Sequence, residues 1–155
     1  MIRASKMADY AMMLLGQIAA HQAQCMSAHE LSSVTGLPDP TVGKVLGRLG
    51  RTGLLDSRRD ARGCYALARP AREITATDIV AAMDGPVAMT LCIEQGDTAC
   101  ELAQACPSRL GWHRVNAAIR GALDGVTLAD IAAPGPSPVA RQTERLLERE
   151  AEGRA

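Results

Sequence analysis

The stretch from Ser27 to Gly53 constrains the fold more tightly than any other part of this chain. Ser27 and Glu30 stand in Ser-x-x-Glu spacing. In that spacing each side chain satisfies an orphan backbone donor at the start of a helix. The helix predicted there carries Leu31 and Val34 and stops near Gly36, a residue suited to a left-handed C-terminal turn. Leu37-Pro38 makes the turn, Asp39 is the expected N-cap, and Pro40 takes the first helical position. The next helix sends Val42, Val45, Leu46 and Leu49 to the core and ends near Gly53. Upstream, Met7, Tyr10, Ala11, Leu14, Leu15 and Ile18 share one face of a helix spanning about 5–23. A helix, a short helix, a tight turn and a further helix predict a helix-turn-helix.

The residues that follow predict a wing. Leu54-Leu55 and Tyr65-Ala66-Leu67 form two short strands around the polar, basic segment SRRDARGC. Thr75 caps another short helix through Ile79, Val80 and Met83, ending at Asp84-Gly85-Pro86. A long helix follows over about 109–123. Trp112, Val115, Ile119, Ala122 and Val126 recur at steps of 3, 4, 3 and 4, a heptad seam suited to packing along another helix. PGPSP is a stiff linker, and residues 141–155 have few apolar anchors. The expected fold is mainly α: a winged helix-turn-helix with a two-stranded wing, a cysteine-bearing loop and a long dimerisation helix. Its expected divisions are 1–86 for DNA binding, 87–133 for the cysteine loop and dimerisation helix, and 134–155 for a linker and flexible tail.

Charge is unevenly distributed along the chain. The net charge is zero, yet residues 44–72 hold Lys44, Arg48, Arg51, Arg58, Arg59, Arg62, Arg69 and Arg72 against only Asp56 and Asp60. That local surplus of six falls on the recognition helix and the wing, where phosphate neutralisation is needed. Thr41, Lys44, Arg48 and Arg51 on the helix, with Arg58, Arg59 and Arg62 in the wing, are the expected DNA contacts. The three aromatic residues, Tyr10, Tyr65 and Trp112, are too few for base-stacking recognition of single strands. No apolar run reaches the roughly 18–20 residues of a membrane span. The expected location is the cytoplasm, and the expected partner is double-stranded DNA.

Five cysteines in a chain expected in a reducing compartment point to ligands, reactive thiols or core residues before disulfides. Cys92, Cys100 and Cys106 fall within fifteen residues, with seven and five residues between them. Thiolates bind iron–sulfur clusters and soft metals. The spacing is not the Cys-x-x-Cys of a zinc ribbon, but by itself it does not separate a cluster from zinc. Three thiolates leave a fourth position for a carboxylate, an imidazole or an external ligand. Cys25 and Cys64 lie far from the loop and are expected to be structural or incidental. No nucleophile–base pair and no phosphate-binding loop stand out, so an enzyme is not expected.

Taken together, these stretches resemble the bacterial winged-helix iron–sulfur regulators, the family of IscR, NsrR and RirA, and within it the Suf-system assembly regulators. The matching segments are SKMADYAMMLL, LGRLGRTGLL, RGCYALARPAREITATDIVAAMDG, the cysteine loop and WHRVNAAIRGALDGVTLADI, covering about residues 1–133. The resemblance implies a homodimer that crosses its long helices on a palindromic operator. It implies a 2Fe–2S or 4Fe–4S cluster held by Cys92, Cys100 and Cys106. Where IscR-like members place a histidine three residues after the last cysteine, this chain has Arg109. Asp9 matches the NsrR-like fourth ligand, contributed by the other subunit. Gly63-Cys64-Tyr65 replaces the family's usual Gly-Gly-Tyr. The expected function is a cluster-sensing transcription regulator, a repressor of iron–sulfur assembly genes. The alternatives are a nitric-oxide, redox or iron sensor of the same fold, a zinc-site regulator, or an electron-transfer or cluster-carrier protein.

Overall fold

The computed structural model describes residues 3–21, 25–58, 63–94, 96, 100 and 105–133, the side chain of Arg58 excepted. Helix α1 (Lys6–Ala20) is capped by Ser5, whose side chain accepts from the Ala8 backbone N–H. It buries Ala8, Ala11, Leu14, Leu15, Ile18 and Ala19, the face expected from the spacing. The Ser27/Glu30 capping box opens α2 (Ala28–Thr35), and Gly36 closes it at φ +70°, where a side chain would be strained.

Helix α3 (Asp39–Arg51) starts one residue earlier than expected. Pro38 is its N-cap, so Asp39 lies in the first turn, where a carboxylate complements the helix dipole. Val42, Val45, Leu46 and Leu49 are fully buried, as the spacing predicts. Strands β2 (Leu55–Arg58) and β3 (Cys64–Leu67) form the wing hairpin, in register Leu55↔Leu67 to Arg58↔Cys64. A third strand was not foreseen: β1 (Met26–Ser27) pairs antiparallel with the outer edge of β3, giving the order β1-β3-β2. Two residues carry no strand pattern by themselves; β3 supplies the partner that makes them one.

A 3-10 turn at Ala71–Glu73 leads to α4 (Ala76–Asp84), whose N-terminus is a Thr75/Asp78 capping box. Helix α5 (Leu91–Glu94) is a single turn, and α6 (Arg109–Asp124) is the long helix. Gly125 ends α6, so Val126 does not continue the heptad seam. It lies instead in a link whose Val126 carbonyl accepts from Ala76 N–H at 2.8 Å. Helix α7 (Leu128–Ala132) follows, opened by a further capping box, Thr127/Asp130. Its Leu128 is fully buried in the core shared by α1, α3 and α4, so the chain returns to that core after α6.

Candidate nucleic-acid interface and cysteine loop

On α3 the buried residues and the cationic ones divide between opposite faces. Lys44, Arg48 and Arg51 are exposed, and Thr41 is half-buried on the same side. Among the described residues no ion pair ties up Lys44, Arg48 or Arg51. Three cations with water on all sides form a surface that a phosphate backbone can neutralise without first breaking a salt bridge. Two other members of the basic stretch are engaged. Arg69 donates to Asp78 at 2.9 Å, beside the cap of α4, and Arg72 lies 3.7 Å from Glu73. The local surplus of charge is therefore partly absorbed by the fold, and among the described side chains its free part sits on α3. Arg58 belongs to β2, while Arg59 and Arg62 lie outside the described residues.

The cysteines fall into two sets. Cys25 and Cys64 are joined as a disulfide, with Cα atoms 5.4 Å apart, which corrects the expectation of unpaired cysteines there. The antiparallel pairing of β1 and β3 brings them together, because Ser27, two residues beyond Cys25, lies opposite Cys64. Cys92, Cys100 and Cys106 are free thiols, each half-buried. Cys92 lies on α5, where its sulfur is 3.2 Å from Thr90 Oγ1, and Cys106 lies just ahead of α6. Among the described residues no three His, Cys, Asp or Glu side chains gather closely enough to share one ion. Residues 95, 97–99 and 101–104 of this loop lie outside the described residues. The donor set nevertheless suits a cluster: three soft thiols within fifteen residues, none consumed in a disulfide.

Contacts ahead of this loop fix the segment that leads into it. Asp84, the last residue of α4, accepts from both the backbone N–H and the hydroxyl of Ser5, the cap of α1. Asp9, exposed, lies one turn further on, its backbone N–H donating to Ser5 O at 3.1 Å. At the other side Asn116, the one buried residue of α6, bonds to the backbone at Val87 and Met89. Around it α6 is open. Leu110, Trp112 and Val115 are 65%, 40% and 44% exposed, Ala122 is exposed and Ile119 is half-buried. Leu91 on α5 is exposed as well, an apolar residue the heptad pattern does not reveal. His113 is exposed on α6.

A helix-turn-helix with an attached hairpin and a free cationic recognition helix defines a winged-helix DNA-binding protein. The chain belongs to the Rrf2 family, described as iron-dependent transcriptional regulators, whose model matches residues 4–134. It is similar to protein aau3 of Rhizobium meliloti (strain 1021), 30% identical over 135 residues, 87% of this chain and 88% of that protein. It is similar to the transcriptional repressor NsrR of Streptomyces coelicolor, 27% identical, covering 89% of this chain and 93% of NsrR. Among solved structures it resembles CymR, the global cysteine regulator of B. subtilis. The TM-score is 0.67 at 26% identity, over 85% of this chain and 97% of CymR. NsrR and CymR are regulators rather than enzymes, and DNA-binding regulation is the function the family defines.

Proposed function

We propose that this regulator senses an iron–sulfur cluster and controls iron–sulfur assembly genes from the cytoplasm, as a homodimer on a palindromic operator. The observation that carries the reading is the division of the cysteines: two are joined, and the three in the loop are free. Cys92, Cys100 and Cys106 would hold the cluster, with the partner subunit's Asp9 as fourth ligand. When bound, the cluster supplies a centre that oxygen, nitric oxide or a chelator can attack. Asp9 suits that role because a carboxylate is a harder and more labile ligand than a fourth thiolate.

Residues 1–86 read DNA in this proposal. Thr41 and Lys44 lie toward the N-terminal end of α3, where base edges are usually met. Arg48 and Arg51 neutralise phosphates, joined by Arg58, Arg59 and Arg62 of the wing. Residues 87–133 carry sensing and pairing, and the seam is Trp112, Val115, Ile119 and Ala122. Asn116 and the Ser5–Asp84 contact transmit the state of the loop. The first fixes residues 87–89 to the pairing helix, and the second joins the end of α4 to the turn that bears Asp9. A change in the loop then biases the spacing of the two reading helices, and operator affinity follows the free-energy difference.

Anaerobic purification, an absorption spectrum, and iron and sulfide analysis test the reading. Serine at Cys92, Cys100 or Cys106 is expected to abolish the chromophore, and Asp9→Ala to shorten its lifetime and uncouple it from DNA binding. Protein free of iron and sulfide after anaerobic preparation sinks the proposal. The likeness to CymR supports a second reading, a regulator of cysteine supply that works without a cluster. Zinc in place of iron in the same analysis would favour a zinc-site regulator.

A further inference from the structure

The Cys25–Cys64 bond closes a ring that contains the recognition helix and the first wing strand. Its ends are 39 residues apart in sequence. Between them lie α2, α3 and β2, and with them Lys44, Arg48, Arg51, Arg58, Arg59 and Arg62. One end is two residues ahead of Ser27, the cap of α2. The other opens β3 and faces Arg58 across the hairpin. The bond therefore ties the foot of the wing to the start of the helix-turn-helix, where the two-residue pairing of β1 with β3 also joins them. The two sulfurs also differ in access: Cys64 is 2% exposed, whereas Cys25 is half-buried.

We propose that Cys25 and Cys64 are a thiol–disulfide switch that sets the hold of the wing on DNA, a redox input separate from the cysteine loop. Disulfides are rare in a reducing compartment, and those that form there are usually transient and redox-sensing, so the bond is read as a response. The oxidant class is a peroxide. The Cys25 thiolate attacks one peroxide oxygen, forming an S–O bond, breaking the O–O bond and releasing hydroxide. The Cys64 thiolate then attacks the Cys25 sulfur, forming the S–S bond and expelling the second oxygen as hydroxide. Two thiols lose two electrons, and with their two protons the peroxide leaves as two waters. A small dithiol reverses the change: one thiolate attacks the accessible Cys25 sulfur and expels the Cys64 thiolate, and its second thiolate then attacks its own sulfur in the mixed disulfide, expelling the Cys25 thiolate and leaving the dithiol as a cyclic disulfide. With the bond closed the wing is already ordered against α2, so less freedom is lost when DNA binds, and the oxidised form binds more tightly.

The inference rests on DNA binding and on the cytoplasmic location proposed above, and not on the cluster. The full chain, stripped of metal with a chelator, is divided into dithiol-reduced and peroxide-treated samples. Peptide mass spectrometry is expected to find the 25–64 crosslink only in the second. Its affinity for a fluorescein-labelled random-sequence duplex is expected to be about fivefold higher than that of the reduced sample. Cys25→Ser and Cys64→Ala are each expected to bind equally in both samples. Hydrogen exchange on the unmutated chain gives a check free of substitutions: amides of 55–58 and 64–67 are expected to slow on oxidation. Absence of the crosslink, equal affinities of the two wild-type samples, or a difference that survives in Cys25→Ser overturns the proposal. A chain that holds no iron as isolated anaerobically, before any chelator, yet shows the crosslink and the affinity change removes the cluster reading and leaves this one standing.

Discussion

Asn116 holds Met89 in place: its side-chain carbonyl accepts the Met89 backbone N–H at 3.1 Å, and its amide donates to Val87 O at 3.2 Å. It is the buried polar residue of an otherwise apolar interior among the described residues. A buried side chain that serves two backbone groups is costly to remove, because both are left without partners. Asn116→Leu is expected to destabilise the fold by about 1–3 kcal/mol, measured by denaturant unfolding. It is also expected to raise hydrogen exchange over 87–94. Unchanged exchange there would mean that α6 does not hold the approach to Cys92.

Arg48→Ala is expected to weaken duplex binding while leaving the melting temperature unchanged. The side chain is exposed and unpaired among the described residues, so its loss removes a phosphate contact without touching the core. The slope of log affinity against log salt should fall by about one unit. Arg69→Ala is the contrasting variant. Its guanidinium is held by Asp78, so its loss should lower stability more than it alters the salt slope.

Val115→Glu is expected to shift the chain from dimer to monomer in sedimentation. Val115 is 44% exposed within one chain, so a carboxylate there meets water in the monomer and an apolar partner in the dimer. A variant as dimeric as wild type would place the interface elsewhere.

Leu128→Ala is expected to cost about 2–5 kcal/mol, the range for opening a cavity at a buried leucine. Leu128 is fully buried, and its N–H donates to Ile74 O at 2.7 Å. Thermal or denaturant unfolding measures the loss. A cost near zero would show that α7 is not part of the domain it touches.

Local chemistry explains what could be read from the sequence. The boxes at Ser27/Glu30 and Thr75/Asp78 are complete within four residues, so the helix starts were legible, as was the buried face of α3. The same reciprocal cap recurs at Thr127 and Asp130, a signal present in the sequence but masked by a helix of only five residues. Val126 has the heptad spacing but lies beyond α6, which ends at Asp124 with Gly125 as its cap, so spacing alone does not mark the end of the helix. The Cys25–Cys64 bond and the Arg69–Asp78 pair had no local signature, since each depends on chain segments brought together by the sheet or by α4. For the cysteine loop, the spacing identified the thiols but not their arrangement.

The return of α7 to the core shared by α1, α3 and α4 has a consequence for how such a protein can diversify. The Ala76 N–H bonds to Val126 O, and Thr75 bridges to Thr127, so the chain re-enters the domain beside the start of α4, the helix from which it departs. The described residues between Gly85 and Gly125 leave and rejoin one body at neighbouring points. The stitching consists of backbone bonds and a buried leucine, none of which depends on what the excursion carries. A new sensing chemistry could be grafted between those two glycines, and the reader of DNA beneath it would keep its shape.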